Sequence, residues 1–216
     1  MFVLNRQNSI ANHFLADLRD IEKQKDRLRF RRSLERLGEI MAYELSKDLK
    51  FQSAMVETPF LKIPIEMVED QPVIISVLRA SVPFYQGVLN FFDKADSGFI
   101  GAFRKENEDF QEVEVSLGYM AAPPIDGRTV LLVDPMLATG KSFVECVNHL
   151  LKNGTPSKIH IVSVIAAPEG LSYIKENLSY VPHQFWLCAV DEKLNEKSYI
   201  IPGLGDAGDL AYGPKL

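Results

Sequence analysis

The 216-residue chain is poor in cysteine, holding only Cys146 and Cys188. Each sits inside an apolar run (FVECVNHLL and QFWLCAV), with no CxxC pair and no histidine at ligand spacing from either. A disulfide framework and a cysteine-ligated zinc are thereby excluded, and the expectation is two buried free thiols. His13, His149, His160 and His183 are scattered, so a metal site built from protein side chains is not expected either. No apolar run approaches the roughly 18 residues of a membrane span. The N-terminal stretch MFVLNRQNSIANHFLADLRD is interrupted by Asn5, Arg6, Gln7, Asn8 and Asn12 and has no signal-peptide core. These absences predict a cytoplasmic protein without a membrane partner. An excess of positive charge is also lacking: the net charge of −5 argues against indiscriminate nucleic-acid binding. One local exception is the segment from Arg19 to Arg36, with basic residues at 19, 23, 25, 27, 29, 31, 32 and 36 against acidic ones at 20, 22, 26 and 35. It reads as a solvated helix face, with an RNA or subunit contact as the alternative.

With 46% apolar residues, what is present can bury one substantial core. No internal repeat, linker or low-complexity tract divides it, so a single domain over 1–216 is expected, with a helical N-terminal segment (1–70) packed on it. Apolar positions at helical spacing predict helices over 11–28 and 33–49. Pro72–Leu78 is a short β-branched run leading through Ser81-Val82-Pro83 into a helix with Phe84, Val88, Leu89 and Phe92, Pro83 suiting its first turn. Gly98–Phe103 and Val113–Tyr119 predict a protruding hairpin (98–119) with a charged, mobile tip at 104–109. Val130–Asp134, a helix stopped by Asn153-Gly154, Ile159–Ala167, a helix after Pro168 and Phe185–Asp191 continue the alternation. Alternating buried strands and helices imply an α/β fold, a mostly parallel sheet flanked by helices, with ligands beyond the carboxyl ends of its strands. The loops at 79–83, 134–142 and 191–212 qualify. The aromatics Phe84, Phe91, Phe92, Phe143 and Trp186 are expected in the core or at subunit contacts.

VLLVDPMLATGKSF, Val130 to Phe143, ends in the Gly140-Lys141-Ser142 that closes a Walker-type phosphate loop. A Walker loop needs Gly five residues before Gly140, and this chain has Pro135, which removes a donor and restricts φ. What remains is a strand ending in Asp134 and a small-residue turn, Ala138-Thr139-Gly140-Lys141-Ser142, at a helix N-terminus. Free backbone N–H groups and the helix dipole favour a phosphate there, and the Thr139 and Ser142 hydroxyls add donors. A carboxylate at Asp134 is placed to accept from sugar hydroxyls. Phosphate plus diol suggests a 5-phosphoribosyl group.

The segment Asp134-Pro135-Met136-Leu137-Ala138-Thr139-Gly140 resembles the phosphoribosyl-diphosphate (PRPP) loop of type I phosphoribosyltransferases, in the form found in uracil phosphoribosyltransferases. Val77-Leu78-Arg79-Ala80, Phe103-Arg104-Lys105-Glu106, Met41-Ala42-Tyr43-Glu44, Ala166-Ala167-Pro168-Glu169-Gly170 and above all Tyr199-Ile200-Ile201-Pro202-Gly203-Leu204-Gly205-Asp206-Ala207-Gly208-Asp209 are similar to that family too. The resemblance implies the type I phosphoribosyltransferase fold and transfer of phosphoribosyl from PRPP to N1 of uracil, giving UMP. It implies Mg²⁺ carried by PRPP, with no direct protein ligand, and a homodimer or larger homo-oligomer. It places PRPP on Arg79, Arg104, Asp134, Pro135, Met136, Leu137, Ala138, Thr139, Gly140, Lys141, Ser142 and Asp206. Uracil falls to the backbone of Ile200, Gly205, Asp206 and Ala207, and catalysis to Asp206, Arg79 and Arg104. Ser81 stands where the family usually has Gly, and Lys141 where uracil enzymes commonly have Gly. A reading of another class, a PRPP- or nucleotide-sensing regulator of the same fold that binds RNA through 19–36, stays open at this point.

Overall fold

The buried apolar runs form the middle of one sheet in the computed structural model of the chain. It describes residues 1–105 and 114–215, with side chains for 1–101 and 118–215. In chain order the elements are β1 (Phe2–Val3), α1 (Ala11–Arg19), α2 (Arg27–Ser46), β2 (Phe51–Glu57), β3 (Lys62–Val68), β4 (Val73–Leu78), α3 (Val82–Leu89), β5 (Asp96–Lys105), β6 (Glu114–Ala121), β7 (Thr129–Val133), β8 (Met136–Leu137), α4 (Lys141–Leu150), β9 (Lys158–Ala166), α5 (Pro168–Asn177), β10 (His183–Val190), β11 (Lys193–Leu194), β12 (Ile200–Ile201) and α6 (Ala207–Tyr212). The main sheet runs β1-β10-β9-β7-β4-β5-β6, with β8 also paired to β9. All its pairings are parallel except β5 with β6, the expected hairpin. The tip of that hairpin, and with it Glu106 to Asp109, lies outside the described residues.

The period-2 geometry of the strands divides the core in two. Val73, Ile75, Val130, Leu132, Ile159 and Ile161 pack with Phe143, Val147 and Ile174 of α4 and α5. Ile74, Leu131, Val133, Val162 and Val164 pack with Leu34, Met41, Phe84 and Val88 of α2 and α3. From β4 the chain moves outward to β5 through α3, and from β7 it moves the other way to β9 through α4. The sheet order therefore reverses between β4 and β7, and helices from the two directions leave a crevice at their carboxyl ends. Those ends lead directly into Arg79 and Asp134. Cys146 and Cys188 are free and buried, and burial pushes both thiols up from their ordinary range. Phe84, Phe92, Phe143 and Trp186 are in the core, whereas Phe91 is half exposed.

The N-terminal quarter departs from expectation in two ways. The first helix stops at Arg19 rather than 28: Asp20 Oδ1 accepts from the backbone N–H groups of Glu22 and Lys23, turning the chain, and Asp26 Oδ1 accepts from Arg29 N to cap α2 early. Residues 51–68, inside the segment expected to be helical (1–70), are instead the antiparallel hairpin β2–β3. Its turn is held by Thr58, whose hydroxyl bonds the Leu61 carbonyl and accepts from the N–H groups of Phe60 and Leu61. No residue of either strand is buried, and Phe60 at the turn is 93% exposed.

Candidate active site

A cleft of about 1070 Å³ opens at the β4/β7 switch point. It is lined by Val77–Ala80 at the end of β4 and just beyond it, by Asp134, Met136, Ala138 and Ser142 after β7, and by Ser198–Ile200 and Gly205–Gly208 of the tail. All three loops expected to carry function therefore meet in one place.

The 134–142 turn is held from below. The Pro135 carbonyl accepts from the N–H groups of Val164 and Ile165, and the Asp134 carbonyl from Ser163 Oγ at 2.6 Å, docking the turn on β9. Asp134 Oδ1 accepts from Met136 N at 3.1 Å. Gly140 caps α4 at φ +78, in the region that disfavours a side chain. The turn also presses on the start of α5: a Cβ added at Gly170 would lie 2.2 Å from the Ala138 carbonyl oxygen, and one at Gly140 would lie 2.6 Å from the Gly170 oxygen. Of the residues expected to touch PRPP, Asp134, Met136, Ala138 and Ser142 line the cleft. Pro135 and Leu137 are buried beneath it, and Thr139 Oγ1 accepts from Lys141 N at 3.4 Å. Lys141 makes no ion pair among the described residues.

Arg79 lines the opposite wall. Its Nη2 donates to Asp209 Oδ1 at 2.8 Å and to the Gly213 carbonyl at 2.7 Å, while Nε is buried with no hydrogen-bond partner. Asp206 is the N-cap of α6, its Oδ1 accepting from Asp209 N at 2.9 Å. Ser81, in place of the family's usual glycine, turns its side chain into the protein: the hydroxyl donates to the Val77 carbonyl and shares a 2.6 Å hydrogen bond with Ser76, and both serines are fully buried. The backbone at Arg104 belongs to β5, but its side chain lies outside the described residues.

The glycine-rich tail around Gly203 is held by the N-terminal segment. Arg19 forms a bidentate pair with Asp191, at 2.6 and 2.8 Å, and donates to the Gly203 carbonyl at 2.9 Å. Asp191 Oδ2 in turn accepts from Gly203 N at 2.8 Å. Gly203 has φ +64, and a Cβ there would lie 2.1 Å from the Ile200 carbonyl oxygen, so glycine is required for the loop to close over Ile200. The remaining basic residues of 19–36 are also largely engaged within the chain. Lys23 and Arg29 pair with Asp17, Lys25 with Glu22 and Arg32 with Glu35. Arg31 donates to the Ala211 carbonyl and lies over Tyr212, and Arg36 lies over Phe14.

The family model for uracil phosphoribosyltransferase matches residues 5–214. The chain belongs to the uracil phosphoribosyltransferase family. A uracil phosphoribosyltransferase of Porphyromonas gingivalis is 42% identical over 215 residues, covering 99% of this chain and 98% of its own. One of Pyrococcus furiosus is 40% identical over 202 residues, 92% of this chain and 84% of that one. Among solved structures, the AQ2163 protein of Aquifex aeolicus superposes with a TM-score of 0.84 at 33% identity, covering 96% of both chains. The α/β fold expected from the strand pattern is the fold of this family of phosphoribosyltransferases. No helix among the described residues is long and apolar enough to cross a membrane.

Several residues of the uracil phosphoribosyltransferase cleft were not legible in advance. Tyr119 of β6 reaches it from the hairpin, and Lys215 from the tail beyond α6. Asp209 had a signal of its own, an aspartate three residues after Asp206 at a helix start, but nothing in the sequence tied it to Arg79. Among the described residues no three or more His, Cys, Asp or Glu side chains cluster as a metal cage. Asp134 and Asp206 line the cleft, and their hard oxygen donors suit Mg²⁺ held chiefly by a polyphosphate substrate.

Proposed function

We propose that the chain transfers the 5-phosphoribosyl group of PRPP to N1 of uracil, giving UMP and pyrophosphate. The observation that carries this reading is the meeting, in one cleft of a uracil phosphoribosyltransferase family member, of the 134–142 turn, Arg79 and the glycine-rich tail. The turn Ala138–Ser142 receives the 5-phosphate, with the backbone N–H groups at the start of α4 as donors. Asp134 accepts from the ribose hydroxyls. Arg79, with Nη1 and Nε uncommitted among the described residues, grips the diphosphate with charge-assisted hydrogen bonds, and Arg104 closes over it from the hairpin. The C1–oxygen bond to the diphosphate breaks as N1 of uracil bonds to C1 through an oxocarbenium-like transition state, the bonding electrons leave with pyrophosphate, and the N1 proton passes to solvent. Asp206 faces the ribose and diphosphate on that side. Mg²⁺ bound to PRPP would be met by Asp206 and Asp134 and would supply neutralisation of the leaving diphosphate.

Uracil presents alternating C=O and N–H groups along one edge, which the backbone of Ile200 and Gly205–Ala207 can match without side chains. Cytosine places a donor where uracil has an acceptor and would leave a buried group unpaired, at about 1–3 kcal/mol. The enzyme acts as a homodimer or larger homo-oligomer, supported by the unburied apolar residues Met55, Phe60, Leu61 and Met67 of β2–β3.

The test is a panel of nucleobases incubated with PRPP and Mg²⁺. Pyrophosphate release with uracil and not cytosine is expected, and no release with uracil overturns the reading. Asp206→Asn, run alongside, should fold normally, because asparagine is as good an N-cap, and lose most turnover.

A further inference from the structure

We propose that Lys215, on the C-terminal tail, is a substrate-binding cation for the diphosphate of the donor, an assignment that rests on the transferase reading above. Among the described residues lining the cleft, the carboxylates are Asp134 and Asp206 and the cations are Arg79 and Lys215. Taken alone, these described residues give the lining no net charge to offer a donor bearing a diphosphate and a 5-phosphate. One of the two cations is already partly committed, since Arg79 Nη2 is taken by Asp209 and Gly213. Lys215 is not. Its ammonium stands 3.8 Å from Asp206 Oδ2, close enough to neutralise that carboxylate and too far to be a hydrogen bond. All three of its N–H donors thus lack an acceptor among the described residues.

The tail does not reach the cleft by chance. It is fixed two residues before Lys215 by the bond from Arg79 to the Gly213 carbonyl, by Gly213 N donating to Asp209 O at 2.8 Å, and by Arg31 donating to Ala211 O. The Lys215 side chain itself is 65% exposed. The anchoring also selects the end of the substrate: the tail folds onto Arg79, which is on the diphosphate side, rather than onto the Ala138–Ser142 turn. In the structure Lys215 offsets Asp206. When the donor enters, the ammonium exchanges that carboxylate for diphosphate oxygens, which leaves Asp206 for the ribose side.

The experiment compares wild type, Lys215→Gln and Lys215→Arg at saturating uracil, measuring KM for PRPP, kcat, and product inhibition by pyrophosphate and by UMP, each over a range of salt. Lys215→Gln should raise KM for PRPP and the inhibition constant of pyrophosphate together by about 5–20-fold, with kcat within about twofold. The salt dependence of both should become shallower, and UMP inhibition should not change. Lys215→Arg should restore most of the loss. Unchanged PRPP and pyrophosphate affinity in Lys215→Gln overturns the assignment, as does a loss confined to UMP or an equal loss in the arginine variant. If wild type shows no turnover with uracil, the transferase reading fails by itself, and calorimetric binding of PRPP and pyrophosphate to the same three proteins still decides the role of Lys215.

Discussion

Arg79 and Asp209 are 130 positions apart in the chain, and the guanidinium Nη2 of the first donates to Oδ1 of the second at 2.8 Å. The contact joins the loop after β4 to α6 and fixes which edge of the guanidinium faces the cleft. Asp209 is therefore a positioning residue. Asp209→Ala should lower kcat/KM for PRPP by about 10–100-fold, and Asp209→Asn, which keeps an acceptor, by less. Equal effects on PRPP and UMP kinetics would show a merely structural role.

Gly170 lies outside the cleft lining, yet a Cβ there would lie 2.2 Å from the Ala138 carbonyl oxygen and 2.7 Å from a Leu137 methyl, and the nearer of the two is backbone that cannot swing aside. Gly170→Ala should cost about 1–3 kcal/mol in denaturant unfolding and push the phosphate turn out of place. UMP, which has the 5-phosphate, should bind more weakly, while pyrophosphate affinity stays near wild type.

Removing Arg19 leaves Asp191, whose side chain is 4% exposed, with Gly203 N as its remaining hydrogen-bond donor among the described residues. Arg19→Met should destabilise the protein by about 2–4 kcal/mol, less than a fully buried pair because Arg19 itself is partly exposed. Since the same arginine holds Gly203, KM for uracil should rise more than KM for PRPP.

His160 is buried in β9, accepting from Trp186 Nε1 at 2.7 Å through Nδ1. Burial, helped by the nearby Lys158 ammonium, lowers its pKa from 6.5 to about 4. In the window between those values the unfolded chain binds a proton that the folded chain refuses. This contribution to stability is complete above about pH 6.5 and is lost as pH falls toward 4. It amounts to about 3 kcal/mol at the acid limit. Unfolding curves of wild type and His160→Asn should diverge in slope across that range and run parallel above pH 7.

The β2–β3 hairpin predicts a property of the assembly. A two-stranded ribbon with no buried residue is marginal alone in water, so a partner surface should cover Phe60 and Leu61. Replacing both with serine should reduce the mass measured by light scattering to that of the monomer, and an unchanged mass would remove this support for the oligomer.

The sequence alone carried the fold class, because strands buried on both faces must be continuous apolar runs: β4, β7, β9 and β10 were each legible within one or two residues. It failed at 51–68, where FQSAMVE and KIPIEMV expose apolar residues and the usual alternation between core and solvent is lost. It failed again at 20–28, where Asp20 and Asp26 interrupt a helical pattern by bonding their own backbone. The basic stretch 19–36 showed its charge in the sequence but not its partners, which are mostly internal.

Local chemistry thus marked Asp134–Ser142 as a strand end and small-residue turn opening a helix, and Gly203, Gly205 and Gly208 as one glycine-rich loop, since backbone donors, glycine and strand ends act over a few residues. Only the tertiary structure decided that Arg79 meets Asp209, that Arg19 holds Gly203, that Gly170 supports Ala138 and that Lys215 reaches the cleft. Each of these joins segments far apart in the chain. Their pairing depends on where the sheet reverses between β4 and β7, and that reversal is set by the packing of helices on both faces together.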